Sequence, residues 1–173
     1  MPVKIYKPTS PGRRQSSVNS FADITKFRPE KSLIQILKKN SGRNNQGRIT
    51  VRHQGGGVKQ FYRLVDFRQQ RYGVPAKVLA IEYDPNRSTR IALAQYDDMT
   101  KTYLLAPEGV GAGATMLSSD GAIEAKTGNR MPLQFIPIGV FVYNIELTPG
   151  KDGQLVRSAG ISAQLVGVEG KYA

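Results

Sequence analysis

The stretch that decides the fold is KVLAIEYDPNRSTRIALAQY, which runs from residue 77 to residue 96. Its first part alternates apolar and other side chains, and it predicts a strand over 77–83 with Leu79, Ile81 and Tyr83 on one face. The following Asp84-Pro85-Asn86-Arg87 has the residue types of a turn. A second strand is predicted over 89–96, so the stretch indicates two β-strands joined by a short turn.

Further short strands are predicted on both sides of this pair. They span residues 61–67, 101–105 and 114–118, with turns or a proline between them. Short strands at this spacing are typical of all-β sandwiches and barrels, whereas parallel sheets need long crossover segments. We therefore predict a mainly β fold, with a small closed barrel over 60–125.

A second β region is predicted over 126–173. Phe141, Tyr143, Ile145 and Leu147 alternate regularly, Pro149-Gly150 marks a turn, and another strand is predicted over 161–168. The sequence ends at Ala173 on what reads as the start of a return strand, which would leave a sheet edge unpaired. We expect this second region to be a truncated barrel and the chain to be part of a longer protein.

The first 59 residues have a different character, being polar, basic and rich in turn-forming residues. One short helix is predicted over 31–39, where Leu33, Ile34, Ile36 and Leu37 form an apolar stripe. Ser32 is a candidate helix cap and Gly42 a candidate stop. We treat residues 1–59 as a basic N-terminal extension that precedes the first barrel.

Composition excludes several classes of protein. The 173 residues contain no cysteine and one histidine, His53. These counts exclude a disulfide scaffold, cysteine-based zinc sites and multi-histidine metal centres. No apolar segment has the length of a signal peptide or a membrane span, so we expect no membrane partner. We also expect no cofactor.

Charge is distributed unevenly along the chain. The net charge is +12, from 25 basic and 13 acidic residues. Residues 1–72 hold sixteen of the basic residues but only Asp23, Glu30 and Asp66 among the acidic ones, a net charge of +13. The remainder carries nine basic and ten acidic residues, a net charge of −1. This imbalance indicates a polyanionic partner for the N-terminal region.

The residue types in 41–59 favour RNA as that polyanion. The segment reads SGRNNQGRITVRHQGGGVK and mixes guanidinium and amide groups with glycines. Guanidinium groups bind phosphates in pairs and stack on bases, while amides can read base edges and ribose hydroxyls. The alternative is a solvated linker, which the excess of positive charge disfavours. No helix-turn-helix or basic-zipper pattern points to DNA.

Signs of catalysis are weak. Gly55-Gly56-Gly57 does not continue into a Walker loop, because Lys59 is followed by Gln60. The adjacent Asp97 and Asp98 fit turn chemistry better than an acid–base pair. Some aromatic residues could stack on bases, although most are expected in the core; the candidates are Phe61, Tyr62, Tyr83, Tyr96 and Tyr103. We predict a protein that is not an enzyme.

Several motifs together resemble one family. They are KPTSPGRR at 7–14, GRNN at 42–45, GRIT at 47–50, GGG at 55–57, YR and VDF at 62–67, EYDPNRS at 82–88, and GQL with RSAG at 153–160. In this order they are similar to bacterial-type ribosomal protein L two, a family of universal large-subunit proteins. The resemblance covers essentially the whole chain.

The resemblance implies a basic extension, an oligonucleotide-binding-type barrel and a Src-homology-three-like barrel. It implies a cytoplasmic ribosomal protein that binds large-subunit ribosomal RNA and supports assembly, subunit association and the RNA near the peptidyl transferase centre. Neighbouring ribosomal proteins, and the small subunit at an intersubunit bridge, are the other implied partners. The implied RNA-binding residues are Lys7, Arg13, Arg14, Arg43, Asn44, Asn45, Arg48, Arg52, His53, Lys59, Arg63, Arg87 and Arg157.

Two departures from the family pattern stand out. Val58 occupies the position after the glycine triplet where the family commonly has histidine, and the family's basic C-terminal tail with its histidine motif is absent from this sequence. Two other functions stay open at this point. One is a barrel that binds single-stranded nucleic acid outside the ribosome, and the other is a small enzyme whose basic arm recruits an acidic substrate.

Overall fold

The fold is mainly β, as the sequence predicts. A computed structural model describes residues 3–170 and 172–173. Its strands are β1 Val3–Ile5, β2 Ser17–Asn19, β3 Ile34–Ile36, β4 Phe61–Arg63, β5 Ala76–Glu82, β6 Ile91–Tyr96, β7 Lys101–Leu105, β8 Thr115–Met116, β9 Phe141–Val142, β10 Ile145–Glu146, β11 Gly153–Leu155 and β12 Ala163–Gln164. Short 3-10 turns cover Pro11–Arg13, Lys31–Leu33 and Leu133–Phe135.

The centre of the molecule is an antiparallel sheet in the order β7-β6-β5-β8. The sheet is curled into a half-barrel, consistent with an oligonucleotide-binding-type domain. Beyond β7, Val65 forms a parallel bridge to Tyr103 and extends the sheet by one short contact. The strands predicted over 77–83, 89–96 and 101–105 are therefore present.

Both faces of β6 are covered, which explains why it is the most buried strand. On one face Ala92 and Ala94 belong to a cluster with Val78, Leu104 and Met116. The opposite face carries a second cluster of Ile91, Leu93 and Tyr103, against which Leu33 and Val65 pack. The second face is thus covered by segments that precede the sheet in the sequence.

A β-bulge corrects the predicted faces of β5. The pairing with β6 shifts register between Val78 and Ala80, which leaves Leu79 without a partner. Leu79 is 38% exposed and Tyr83 43% exposed, whereas Ile81 is 5% exposed. The prediction that these three share one face is wrong, because an extra residue in one strand reverses the alternation beyond it.

The helix predicted over 31–39 is also wrong. A single 3-10 turn at Lys31–Leu33 leads into β3, which pairs antiparallel with β4. Short apolar runs fit a helix or a strand equally well, and here pairing with the 61–63 strand decides between them. The 31–36 segment therefore belongs to the β structure.

The region beyond residue 126 consists of two separate strand pairs, β9 with β12 and β10 with β11. The single strand implied by the alternation from Phe141 to Leu147 is divided at Asn144, whose φ is +53°. Phe141 and Leu147 are 66% and 62% exposed. A residue in the left-handed region cannot continue a strand, so the alternation does not define one buried face.

Candidate nucleic-acid interface

Exposed cations without acidic partners dominate residues 4–59. Within the described part of the chain, none of the following exposed side chains forms an ion pair: Lys4, Lys7, Arg13, Arg14, Arg28, Lys31, Lys38, Lys39, Arg43, Arg48, Arg52 and Lys59. Concentrated, unneutralised positive charge of this kind repels itself in the free protein. A polyanion that binds here would relieve that repulsion.

The acidic residues of this region are engaged elsewhere. Asp23 binds Arg90 with an Oδ2 to Nε distance of 2.7 Å, and Glu30 lies 3.2 Å from both Lys26 and Lys101. Asp66 accepts hydrogen bonds from backbone N–H groups. The hydrogen bond from Arg90 lowers the pKa of Asp23, so this carboxylate is charged at neutral pH. Asp23 and Glu30 are thus paired with other cations, and neither is left to neutralise the exposed ones.

A buried polar network attaches the basic extension to the sheet. The backbone N–H of Glu30 donates to the hydroxyl of Tyr103, which itself donates to Glu82, each at 2.7 Å. Lys26 lies 3.3 Å from the other oxygen of Glu82, which is only 2% exposed. Burial and the bond to Glu82 raise the pKa of Tyr103, so the hydroxyl keeps the proton that it donates. The extension is therefore fixed at residues 26–30.

The loop over 42–51 is a compact hairpin built on Gly42. The carbonyl of Gly42 accepts bonds from the N–H groups of Thr50 and Val51, and Arg43 forms a bridge with Ile49. Gly42 has a φ of +66°, and a Cβ there would lie 2.3 Å from the carbonyl oxygen of Val51. Only glycine fits this position without a shift of backbone.

Asn44 organises the tip of this hairpin. Its Oδ1 accepts bonds from the N–H groups of Gln46 and Arg48, at 3.0 and 2.9 Å. The side chain predicted to read RNA thus has a structural task as well, since both acceptor positions of its oxygen are in use and only its NH₂ group is left for RNA. Asn45 and Arg48 are exposed beside it.

The glycine triplet lies next to two cations. A Cβ on Gly57 would be 3.4 Å from Lys39 Nζ, and one on Gly55 would be 3.8 Å from Arg43 Nη1. Lys39 also donates to the carbonyl of Val58. The loop is therefore open backbone bordered by positive charge, a combination that allows a phosphate to approach closely.

The N-terminal hairpin brings two cations onto one aromatic ring. Strands β1 and β2 pair, and Tyr6 lies beneath Arg13 and Lys4, at 4.6 and 5.8 Å from the ring centroid. Lys7 and Arg14 are exposed nearby in the sequence. The ring holds the cations in a defined place while both remain accessible to an anion.

Three predicted RNA-binding residues lie in different surroundings. Arg63 is 7% exposed, and its Nη1 donates to the carbonyl of Phe61. Arg87 forms an ion pair with the buried Asp84, and both Arg87 and Arg157 lie over the ring of Phe67. Arg63 and Arg87 are thus engaged within the protein, whereas Arg157 is exposed and forms no ion pair among the described residues.

The other predicted residues lie on exposed segments, including His53, whose φ is +59°. The motif-based prediction left out cations with the same exposure and the same lack of acidic partners among the described residues. These are Lys4, Arg28, Lys31, Lys38 and Lys39. Their local charge density, without any motif, is the signal that could have identified them.

The aromatic candidates divide by burial. Tyr96 and Tyr103 are in the core, while Phe61 and Tyr83 are 45% and 43% exposed. Tyr83 packs edge-on against Phe21 at 5.4 Å, under the guanidinium of Arg90. Its ring is therefore already part of an intramolecular contact.

Metal-binding clusters and membrane spans are the other features of interest for function. Over residues 3–170 and 172–173, no group of three or more histidine, cysteine or carboxylate side chains is placed to hold a metal ion. Among the helices of the same residues, none combines the length and apolar character needed to cross a bilayer.

Comparison with protein families agrees with the motifs. Residues 30–118 match the family model described as Ribosomal Proteins L2, RNA binding N-terminal domain. Residues 126–173 match the model described as Ribosomal Proteins L2, C-terminal domain. The first match includes the 42–51 hairpin, the glycine triplet and the curled sheet, and the second includes β9, β10, β11 and β12. From its sequence motifs, its β architecture and these two matches, the chain belongs to the ribosomal protein L2 family.

Proposed function

We propose that this chain binds large-subunit ribosomal RNA through the exposed cations of residues 4–59 and acts as a structural constituent of the ribosome. The observation that carries the proposal is the set of exposed cations in this region that form no ion pair within the described residues. The family is one of structural, RNA-binding proteins of the large subunit.

The proposed RNA-facing residues follow from exposure and charge. They are Lys7, Arg13, Arg14, Arg43, Asn44, Asn45, Arg48, Arg52, His53 and Lys59, all exposed. Neutralising roughly 6–10 phosphates would release as many counterions, and affinity would fall by about a thousandfold or more between low and physiological salt. Binding of this kind positions RNA without reading much sequence.

The fixed and exposed parts of the extension have separate tasks in this proposal. Residues 26–30 are held on the sheet by the network of Glu82 and Tyr103. The flanking segments present their cations to solvent, where RNA can order them at an entropic cost. By family membership we further propose roles in subunit assembly, in subunit association and in organising RNA near the peptidyl transferase centre.

A competition assay tests this function. The complete chain is bound to labelled large-subunit ribosomal RNA fragments, and unlabelled bulk RNA is added over a salt series. We expect at least one ribosomal fragment to resist competition by bulk RNA at physiological salt, because a folded site adds contacts to the electrostatic attraction. Equal competition by bulk RNA against every fragment would contradict the proposal and favour a general binder of single-stranded nucleic acid.

A further inference from the structure

The segment around Phe67 joins the two β regions of the molecule. It follows β4 in the sequence, and the N–H of Asp66 donates to the carbonyl of Tyr103 in the central sheet. The carbonyl of the next residue, Phe67, is bonded by residues beyond 126. The Phe67 segment thus belongs to the region of the central sheet and is hydrogen-bonded by the 126–173 region.

The backbone carbonyl of Phe67 is the focus of these contacts. It accepts hydrogen bonds from Arg130 Nη1 at 3.1 Å, Asn144 Nδ2 at 3.3 Å and the N–H of Gly153 at 3.4 Å. The three donors come from three separate parts of the 126–173 region, so this one oxygen orients all of them.

The ring of Phe67 collects cations from both regions. The guanidinium carbon of Arg87 lies 5.4 Å from the ring centroid, and that of Arg157 lies 4.7 Å from it. Arg87 is held by an ion pair with Asp84, which is fully buried. Next to Arg87, Ser88 Oγ accepts a bond from the N–H of Ala159. Both guanidinium groups therefore lie over one ring, Arg87 half-buried and Arg157 exposed.

An ion pair between Arg68 and Asp152 also crosses the joint. Within the 126–173 region, Arg130 pairs with Glu146 at 2.9 Å, which holds the guanidinium that bonds the Phe67 carbonyl. A Cβ on Gly153 would lie 2.0 Å from Asn144 Oδ1, so only glycine fits beside this asparagine. The polar contacts that cross the joint define one relative orientation of the two regions.

We propose that Phe67, Arg87 and Arg157 form a clasp that fixes the orientation of the 126–173 region against the central sheet. In this role Arg87 and Arg157 are positioning residues that act through Phe67 and do not neutralise phosphates. The consequence for RNA rests on the proposed function: a rigid clasp presents both regions to one folded RNA site, so its loss weakens binding without removing an ionic contact.

Two measurements on the complete chain test the clasp. The first is the orientation of the two regions in the free protein, from residual dipolar couplings. The second is RNA affinity over a salt series, whose slope counts phosphate contacts. The variants are Phe67→Leu, Phe67→Tyr, which keeps the ring, and Arg157→Gln. Arg48→Gln is the matched control in the exposed hairpin.

We expect Phe67→Leu and Arg157→Gln to change the orientation and to weaken ribosomal RNA binding about three- to tenfold, with the salt slope unchanged. Phe67→Tyr should retain both properties. Arg48→Gln should keep the orientation and reduce the slope by about one unit.

A reduced slope with an unchanged orientation in Arg157→Gln would overturn the clasp and make this arginine a phosphate contact. If Phe67→Leu does not fold, the orientation and the salt slope of Arg157→Gln still decide whether the clasp fixes the two regions. If the unmodified chain shows no preference for ribosomal RNA, the proposed function fails, while the orientation measurements continue to test the clasp.

Discussion

The hydroxyl of Tyr103 donates a hydrogen bond of 2.7 Å to the carboxylate of Glu82, and both side chains are buried. The same hydroxyl accepts the N–H of Glu30, which lies in the basic extension. One phenol therefore connects the core of the sheet with the segment that carries most of the positive charge. This arrangement holds residues 26–30 of the extension on the sheet.

Replacing Tyr103 with phenylalanine should destabilise the protein by about 1–3 kcal/mol, because it removes the partner of a buried carboxylate and of a backbone N–H group. Chemical denaturation measures this change. Tyr72→Phe is the matched control, since Tyr72 is 50% exposed and should lie within about 0.5 kcal/mol of the unmodified protein. Equal stabilities for the two variants would show that the network contributes nothing.

Acid should weaken the attachment of residues 21–30. The bond from Arg90 lowers the pKa of Asp23 below its ordinary value of 3.8, and bonds from Lys26 and Lys101 lower the pKa of Glu30 below 4.5. The folded chain then binds fewer protons than the unfolded chain near pH 4, so its stability is retained above that range and falls as the pH drops through it.

Asp23→Asn tests this dependence. The variant should be less stable at neutral pH by about 1–3 kcal/mol, since the nearly buried Arg90 loses its carboxylate partner. It should also lose less stability than the unmodified protein between pH 5 and pH 2, followed by denaturation at each pH. Parallel pH profiles for the two proteins would mean that Asp23 has the same pKa folded and unfolded.

Gly42→Ala should open the 42–51 hairpin. The added Cβ would lie 2.3 Å from the Val51 carbonyl oxygen, and the φ of +66° disfavours any side chain. Amide exchange at Thr50 and Val51 reports whether their bonds to Gly42 survive. We expect faster exchange at both positions and weaker RNA binding.

Gly47→Ala is the control that separates crowding from backbone strain. Its φ is +78°, but a Cβ there meets nothing within 4 Å. The strain alone costs roughly 1 kcal/mol and should leave the exchange at Thr50 close to normal. If the two alanine variants behave alike, the close approach at Gly42 has no special importance.

Elements that depend on neighbouring residues could be predicted from the sequence. The strand predicted over 101–105 coincides with β7, and the Asp84–Arg87 turn separates β5 from β6 as expected. Elements that depend on pairing with distant residues could not be predicted in this way. The bulge at Leu79 depends on pairing with β6, and the strand at 34–36 depends on residues 61–63. No window of sequence around either position contains that information.

The same division applies to the candidate interface. Net charge located the basic extension, and the exposed hairpin of Arg43 and Arg48 agrees with it. The burial of Arg63 and the placement of Arg87 and Arg157 over the ring of Phe67 depend on contacts made in the folded chain. An arginine in a motif looks the same in sequence whether it faces solvent or an aromatic ring, so these three could not be separated from the rest.

The salt dependence of RNA binding tests the central claim most directly. The complete chain with Arg43, Arg48 and Arg52 changed to alanine is compared with the unmodified chain on one large-subunit RNA fragment. A matched control changes the exposed Lys77, Lys126 and Lys151, which form no ion pair among the described residues, to alanine. We predict that the first variant lowers the slope of log affinity against log salt by about one unit for each phosphate that is no longer bound, and that the control leaves the slope unchanged. Equal slopes for the first variant and the unmodified chain would contradict this prediction, because Arg43, Arg48 and Arg52 would then bind no phosphate.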